Sequence, residues 1–129
     1  MEKKIRLHTE VAIDSCHYLK NYNGKCANLH GHSWFIEIWI EGWETQLDEV
    51  GILFDFGNVK AIKEELDHIM LNDIDYFNVE KGGVNPTAEN ISMWLYDKLK
   101  GQSPQLDFKI RLYETKVGKE TYCEVGDWF

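Results

Sequence analysis

Apolar and polar residues alternate over three stretches of the chain, a pattern that predicts half-buried β-strands. The first stretch covers residues 5–17 and places its apolar side chains at odd positions. The second, over 32–41, and the third, over 106–112, place theirs at even positions. A fourth strand is expected within 119–125. Each of the three alternating strands therefore has one face to bury against the rest of the molecule.

Two further stretches have apolar residues at helical spacing. The first predicted helix begins at Gly57 and ends near Met70, and its apolar stripe consists of Val59, Ile62, Leu66, Ile69 and Met70. The second begins at Asn85-Pro86-Thr87, where proline suits the first turn and asparagine or threonine can cap it, and Gly101 is a natural stop. The order ββααββ predicts an α+β fold, with two helices on one face of an antiparallel sheet.

Length, charge and cysteine content narrow the function classes. The 129 residues are expected to form a single domain over 1–129, and a net charge of −8 does not favour nucleic acid or an anionic membrane as a partner. No apolar stretch has membrane-spanning length, and the N-terminus lacks a signal-peptide core. Three cysteines without a CxxC pair are typical of a reducing compartment. We therefore expect a cytoplasmic protein.

Three histidines lie where the first strand ends and the second begins. His30 and His32 point to the same side of a strand, because side chains alternate along it. His17 has the parity of the buried face of the first strand, and the loop over 18–29 brings the two strand ends together. A histidine pair alone is more often structural, but three imidazoles in one place suit a catalytic zinc ion with an open fourth position.

Two residues near these histidines have chemistry of their own. Cys26 lies in a polar loop, where a nearby metal or cation would lower the pKa of its thiol, although a lone cysteine is often a small structural hydrophobe. Glu114 continues the parity of the buried face of the third strand. Its carboxylate could accept two parallel N–H bonds from an amino-pyrimidinone ring edge, or it could face solvent.

Three other polar residues have simpler alternative explanations. On an unbroken first helix, His68 would point away from the core and would be solvated, unless the site of another subunit covers it, as in a shared proton relay with Asp67. Glu89 lies in the first turn of the second helix, where an acidic residue favours the helix dipole.

Taken together, these motifs resemble the 6-pyruvoyl-tetrahydropterin synthase family, and within it the bacterial 6-carboxytetrahydropterin synthases of queuosine biosynthesis. The resemblance extends over essentially the full chain. It rests on His17, Cys26-x-x-x-His30-Gly31-His32, Phe54-Asp55-Phe56, Leu66-Asp67-His68 through Leu71-Asn72, Asn85-Pro86-Thr87-Ala88-Glu89-Asn90 and Glu114-Thr115.

The resemblance implies roles for the polar residues. The three histidines would bind Zn²⁺, Cys26 would be the general base, and Asp67 with His68 would relay protons. Glu114 would anchor the pterin ring with help from Thr87 and Glu89. The fold would be the tunnelling fold (T-fold), whose ββααββ subunits assemble into barrels, usually as a homohexamer with active sites between subunits.

The resemblance also implies a reaction. The substrate would be 7,8-dihydroneopterin triphosphate, converted to 6-carboxy-5,6,7,8-tetrahydropterin, acetaldehyde and triphosphate. The alternative branch retains the side chain and yields 6-pyruvoyl-tetrahydropterin. A third branch, in folate synthesis, has a glutamate in place of the cysteine and is set aside, because this chain has Cys26. Two non-enzymatic alternatives remain: a zinc- or pterin-binding protein, and a structural zinc site that Cys26 completes.

Overall fold

The computed structural model describes residues 2–129, and it confirms the predicted element order and α+β class. The elements are β1 (Lys4–His17), β2 (His30–Trp43), α1 (Phe56–Glu64), α2 (Ala88–Gln102), β3 (Asp107–Thr115) and β4 (Thr121–Gly126). The strands form one antiparallel sheet in the order β1-β2-β3-β4, and the helices pack on one of its faces. Assembly into a barrel stays a prediction.

The core forms where the alternating faces of the strands meet the helices. β1 and β2 pair along their full lengths, from Lys4 opposite Trp43 to His17 opposite His30. Fully or almost fully buried strand residues are Ile13, Trp34, Ile36, Ile38, Ile40, Phe108, Ile110 and Leu112, and the helices add Val59, Ile62, Ile91, Leu95 and Leu99. Each such side chain contributes roughly 1.5–3 kcal/mol when it is fully buried.

The first helix is shorter than the sequence predicts. Asp55 caps its start by accepting the N–H of Gly57 at 2.8 Å, but the helix ends at Glu64, so the predicted end near Met70 is wrong. The chain turns at His68, whose φ is 57°, and then lies along the edge of β1, where the N–H of Cys16 donates to the carbonyl of Ile69. The apolar spacing beyond residue 64 therefore reflects a turn and a short extended segment.

Three local features prepare the functional site. Thr87 caps α2 by accepting the N–H of Asn90 at 3.1 Å, as its position predicted. A 3₁₀ turn over Lys25–Ala27 carries Cys26, and an irregularity between Tyr113 and Thr115 interrupts the β3–β4 pairing beside Glu114. Within residues 2–129, no helix is both long enough and apolar enough to cross a membrane.

Candidate metal centre and adjoining cavity

The histidine cluster (His17, His30 and His32) forms where β1 ends and β2 begins. His17 and His30 are direct partners across the two strands, and Ser15 faces His32, so all three rings lie on the core side of the sheet. The Nε2 atoms of His17 and His30 are 3.0 Å apart, and one ligand atom from each ring lies within 4.8 Å of the others. The convergence that strand parity predicted is present.

Two of the rings are oriented by backbone carbonyls. The Nδ1 atoms of His17 and His30 lie 2.6 Å from the carbonyl oxygens of Pro86 and Asn28. A carbonyl only accepts, so both Nδ1 atoms carry the proton and both Nε2 atoms keep a lone pair. This arrangement is typical of metal-binding histidines.

The third ring presents a nitrogen without a partner. Nε2 of His32 is buried and has no hydrogen-bond partner among residues 2–129, and it lies 3.6 Å from Oε1 of Glu114. A buried polar atom without a partner is costly, and a metal ion would satisfy it. The three nitrogens therefore fit the three-ligand set of a catalytic zinc ion.

Burial favours the neutral form of two rings of the cluster, those of His17 and His32. Burial lowers the pKa of His17 to about 4, although the hydrogen bond to the Pro86 carbonyl acts to raise it. Burial also lowers the pKa of His32, and the charge of Glu114 opposes this effect. Neutral imidazole is the form that binds a metal ion, so burial favours the binding-competent form of His17 and His32.

A cavity of about 330 Å³ adjoins His17. Four other predicted site residues line it, namely Cys26, Thr87, Glu89 and Glu114. They come from the 3₁₀ turn, the start of α2 and the end of β3. The cavity therefore combines a candidate metal centre, a thiol and two carboxylates.

Two of the lining residues, Glu114 and Thr87, keep groups available to a ligand. Glu114 lies on the core side of the sheet, next to His32, with its side chain 36% exposed. Thr87 uses an oxygen lone pair for the helix cap, so its hydroxyl proton is still available to a ligand. Cys26 is partly buried, and its carbonyl accepts the N–H of Leu19 at 2.9 Å.

The predicted proton relay lies elsewhere on the chain. Asp67 accepts the backbone N–H of Asp14 at 2.8 Å and contacts Lys63 at 3.2 Å. The Asp14 hydrogen bond is the main cause that lowers the pKa of Asp67. His68 lies 3.1 Å from Asp67, and its side chain is 75% exposed. Neither residue lines the cavity, so a single chain does not bring the relay to Cys26.

The sequence analysis missed Ser15 and two loop residues that line the cavity, Asn21 and Tyr22. Ser15 is buried opposite His32, and its Oγ has no hydrogen-bond partner within residues 2–129. A polar residue at an odd, buried position of β1 was a signal for it. Asn21 and Tyr22 also line the cavity, but their irregular loop carried no such signal.

A second cavity, of about 400 Å³, lies between the start of β1 and the loop before α1. Its lining is almost entirely apolar. Asp55 is the one titratable residue among those lining it, and that carboxylate caps α1. It lacks the groups that chemistry on a polar substrate needs.

Comparison with known proteins identifies the family. The model of the 6-pyruvoyl tetrahydropterin synthase family matches residues 6–124. The chain belongs to this family. The family resemblance stated from the motifs is thereby confirmed, and the chain is an enzyme of the pterin synthase type.

The proteins that are similar to this chain have several different enzyme names. A 6-carboxy-5,6,7,8-tetrahydropterin synthase of Synechocystis sp. is 33% identical over 100 residues, covering 72% of this chain and 73% of that protein. A dihydroneopterin monophosphate aldolase of Pyrococcus furiosus is 26% identical over 125 residues, covering 97% and 99%. The Caenorhabditis elegans 6-pyruvoyl tetrahydropterin synthase structure superposes with a TM-score of 0.74, at 20% identity, over 95% of each chain. This last likeness shows the fold.

Proposed function

We propose that the protein is a zinc-dependent enzyme that converts 7,8-dihydroneopterin triphosphate and one water molecule to 6-carboxy-5,6,7,8-tetrahydropterin, acetaldehyde and triphosphate, in queuosine-type biosynthesis. One observation carries the proposal: three imidazoles converge, and one of them, His17, lines a cavity that Cys26 and Glu114 also line. Relatives named 6-carboxy-5,6,7,8-tetrahydropterin synthase, among them one from Bacillus subtilis that is 29% identical over 122 residues, support this product.

The histidine cluster would hold the zinc ion. When bound, zinc would supply Lewis-acid polarisation of the hydroxyl groups on the substrate side chain. The carbonyls of Pro86 and Asn28 fix the rings of His17 and His30, so these ligands need little reorganisation on binding. A cavity open on one side of the cluster leaves room for the substrate.

Cys26 and Glu114 would divide the remaining work. Cys26 lines the same cavity as His17, where the substrate side chain would approach the histidine cluster. As general base, Cys26 would accept a proton from the substrate side chain. The carboxylate of Glu114 would accept two N–H bonds from the amino-pyrimidinone edge of the pterin. Thr87 and Glu89, at the start of α2, would complete the ring-binding end.

We further propose that the active site is shared between subunits of a homohexamer. Asp67 and His68 lie outside the cavity of their own chain, and the His68 ring is largely exposed. A neighbouring copy that covers this surface would bring its cavity to the ring, and His68 would then return a proton while Asp67 orients it. A cytoplasmic location fits, because a reducing compartment keeps the Cys26 thiol free.

The direct test is product identification. The zinc-loaded protein is incubated with 7,8-dihydroneopterin triphosphate, and the products are identified by mass spectrometry. We expect 6-carboxy-5,6,7,8-tetrahydropterin and acetaldehyde in equal amounts. A 6-pyruvoyl product would instead support the alternative branch of the family, and no substrate consumption with zinc bound would overturn the enzymatic proposal.

Substitution of Cys26 separates the enzyme from a binding protein. Cys26→Ala is expected to keep its zinc and to lose turnover by about 10²–10⁴-fold, the usual contribution of a general base. Cys16→Ala is the matched control, because that thiol lies on the β1 edge near Ile69. Unchanged turnover in Cys26→Ala would exclude the base role. X-ray absorption tests the structural-site alternative, which requires a zinc–sulfur distance of about 2.3 Å.

A further inference from the structure

Two of the three residues that follow His17 are held by side-chain amides, in the way that a neighbouring strand would hold them. The N–H and carbonyl of Tyr18 bond to Oδ1 and Nδ2 of Asn72, both at 3.0 Å. The N–H and carbonyl of Lys20 bond to Oδ1 and Nδ2 of Asn85, at 2.8 and 2.9 Å. A side-chain amide offers one acceptor and a donor on the same carbon, as a peptide group does, so each asparagine replaces a strand partner.

The residue between these two points in the opposite direction. The backbone N–H of Leu19 donates to the carbonyl of Cys26 at 2.9 Å. Residues 18 and 20 are therefore fixed on one side, and residue 19 holds the proposed base on the other. This short path connects His17, a proposed zinc ligand, to Cys26.

The asparagine clamp (Asn72 and Asn85) is itself anchored. Asn72 is 5% exposed and lies in a turn directly after the segment that pairs with the edge of β1. The carbonyl of Asn85 accepts Nδ2 of Asn90 in α2 at 2.9 Å, and the next residue, Pro86, orients His17. The clamp therefore fixes the position of the loop relative to both β1 and α2.

We propose that Asn72 and Asn85 are positioning residues, which hold the 18–20 segment so that Cys26 stays at a working distance from the histidine cluster. The inference rests on the proposed function for its catalytic consequence. Each amide bonds to backbone through both its oxygen and its nitrogen, so its effect on Cys26 passes through the loop, although Asn85 also lines the cavity. Misplacement of a reacting group by about 1 Å can cost on the order of 100-fold in rate, even when the substitution is remote.

The test compares graded substitutions of Asn85. Asn85→Leu keeps the volume and removes both hydrogen bonds, whereas Asn85→Asp keeps the acceptor for the Lys20 N–H and loses the donor. We expect kcat to fall about 10–100-fold in Asn85→Leu and less in Asn85→Asp, with KM changed less than about 3-fold and zinc content unchanged. Asn58→Ala, at an exposed position of α1, is the matched control and should behave as wild type.

Two readouts do not need turnover. In Asn85→Leu, we expect the Leu19 amide to exchange with deuterium at least about 10-fold faster, and Cys26 to be alkylated faster by iodoacetamide, because their shared hydrogen bond is no longer held. Wild-type exchange and alkylation in Asn85→Leu would overturn the clamp, whether or not the enzyme acts on the pterin. Asn72→Leu repeats the test at the buried position. If Asn72→Leu does not fold, the result for Asn85→Leu alone decides whether the clamp exists. An inactive wild-type protein would count against the proposed function alone.

Discussion

Polar groups on the two faces of the sheet differ in whether they have hydrogen-bond or ion-pair partners. On the face towards the helices, the side chains are apolar until the end near His17, where polar atoms stand without partners. Nε2 of His32 and Oγ of Ser15 are both buried there with no hydrogen bond among the described residues. On the outer face, the buried carboxylates are surrounded by cations.

Two carboxylates of the outer face, those of Glu41 and Glu124, are each paired with two cations. Glu41, with its side chain 8% exposed, contacts Lys4 and Arg6. Glu124 contacts Lys109 at 3.3 Å and Arg111 at 2.9 Å. Burial alone would raise the pKa of each carboxyl, but hydrogen bonds from these cations hold it below its ordinary value.

The difference separates groups that stabilise from groups that bind. Carboxylates with complete sets of partners have little left to offer a ligand, and their contribution is to the folded state. Buried polar atoms without partners destabilise the folded state, and a metal ion or substrate that binds to them removes this cost. The comparison therefore assigns function to one end of the inner face and stability to the outer face.

The largest expected effect tests this assignment directly. His32→Ala removes a proposed ligand, and we expect zinc affinity to fall more than about 100-fold, since the loss of an outer partner alone costs 10–100-fold. His8→Ala, on the outer face beside Glu37, is the control and should keep its zinc. Metal content is measured by mass spectrometry after dialysis. Equal zinc loss in both variants would mean that the two faces do not differ in this way.

A smaller effect is expected on the outer face. Glu37 accepts the hydroxyl of Tyr113 at 2.8 Å and contacts His8 at 3.1 Å, and these bonds hold its pKa below 4.5 against the effect of burial. Glu37→Gln should lower the free energy of unfolding by about 1–2 kcal/mol at pH 7 and leave zinc content unchanged.

The stability difference between wild type and Glu37→Gln depends on pH, and the direction follows from the lowered pKa of Glu37. A lowered pKa in the folded state means that the unfolded chain binds more protons in acid, so the stabilisation by Glu37 is present above pH 4.5 and is lost as the pH falls through the lowered value. Urea unfolding at pH 7 and at successively lower pH measures it. A gap between wild type and Glu37→Gln that persists in strong acid would refute the linkage.

The smallest effect has the opposite sign. Glu10 lies directly across from Glu37 in the β1–β2 register, and like charges in that position destabilise a sheet. Glu10→Lys should raise the free energy of unfolding by up to about 0.5 kcal/mol, with Glu10→Gln in between. Denaturant midpoints measured at low and high salt check this, because the gain should shrink as salt screens the charges. A loss of stability at low salt would contradict it.

The sequence predicted the sheet and the histidine cluster because both depend on a period of two. Parity along β1 and β2 is visible in the local sequence. The pairing of the two strands then places His17 beside His30. Glu114 followed from the same rule, despite the irregularity next to it.

Other parts depend on contacts that a local pattern does not contain. The spacing of Leu66 and Ile69 fits a helix, yet the chain leaves α1 at Glu64 because the edge of β1 is available for pairing. Asn72 and Asn85 bond to backbone 54 and 65 residues away. Asp67 and His68 do not line the cavity of their own chain, and the proposed contact with a neighbouring copy is something that one sequence does not describe.

The left-handed backbone at residue 68 has a consequence of its own. Glycine adopts a φ near 57° without penalty, whereas a histidine there costs roughly 1–3 kcal/mol. The chain keeps an imidazole at this strained corner, although the ring is mostly in solvent and does not enlarge the core. A single chain therefore bears the whole penalty without bringing the ring to its own cavity, which supports the proposal that a neighbouring subunit uses it.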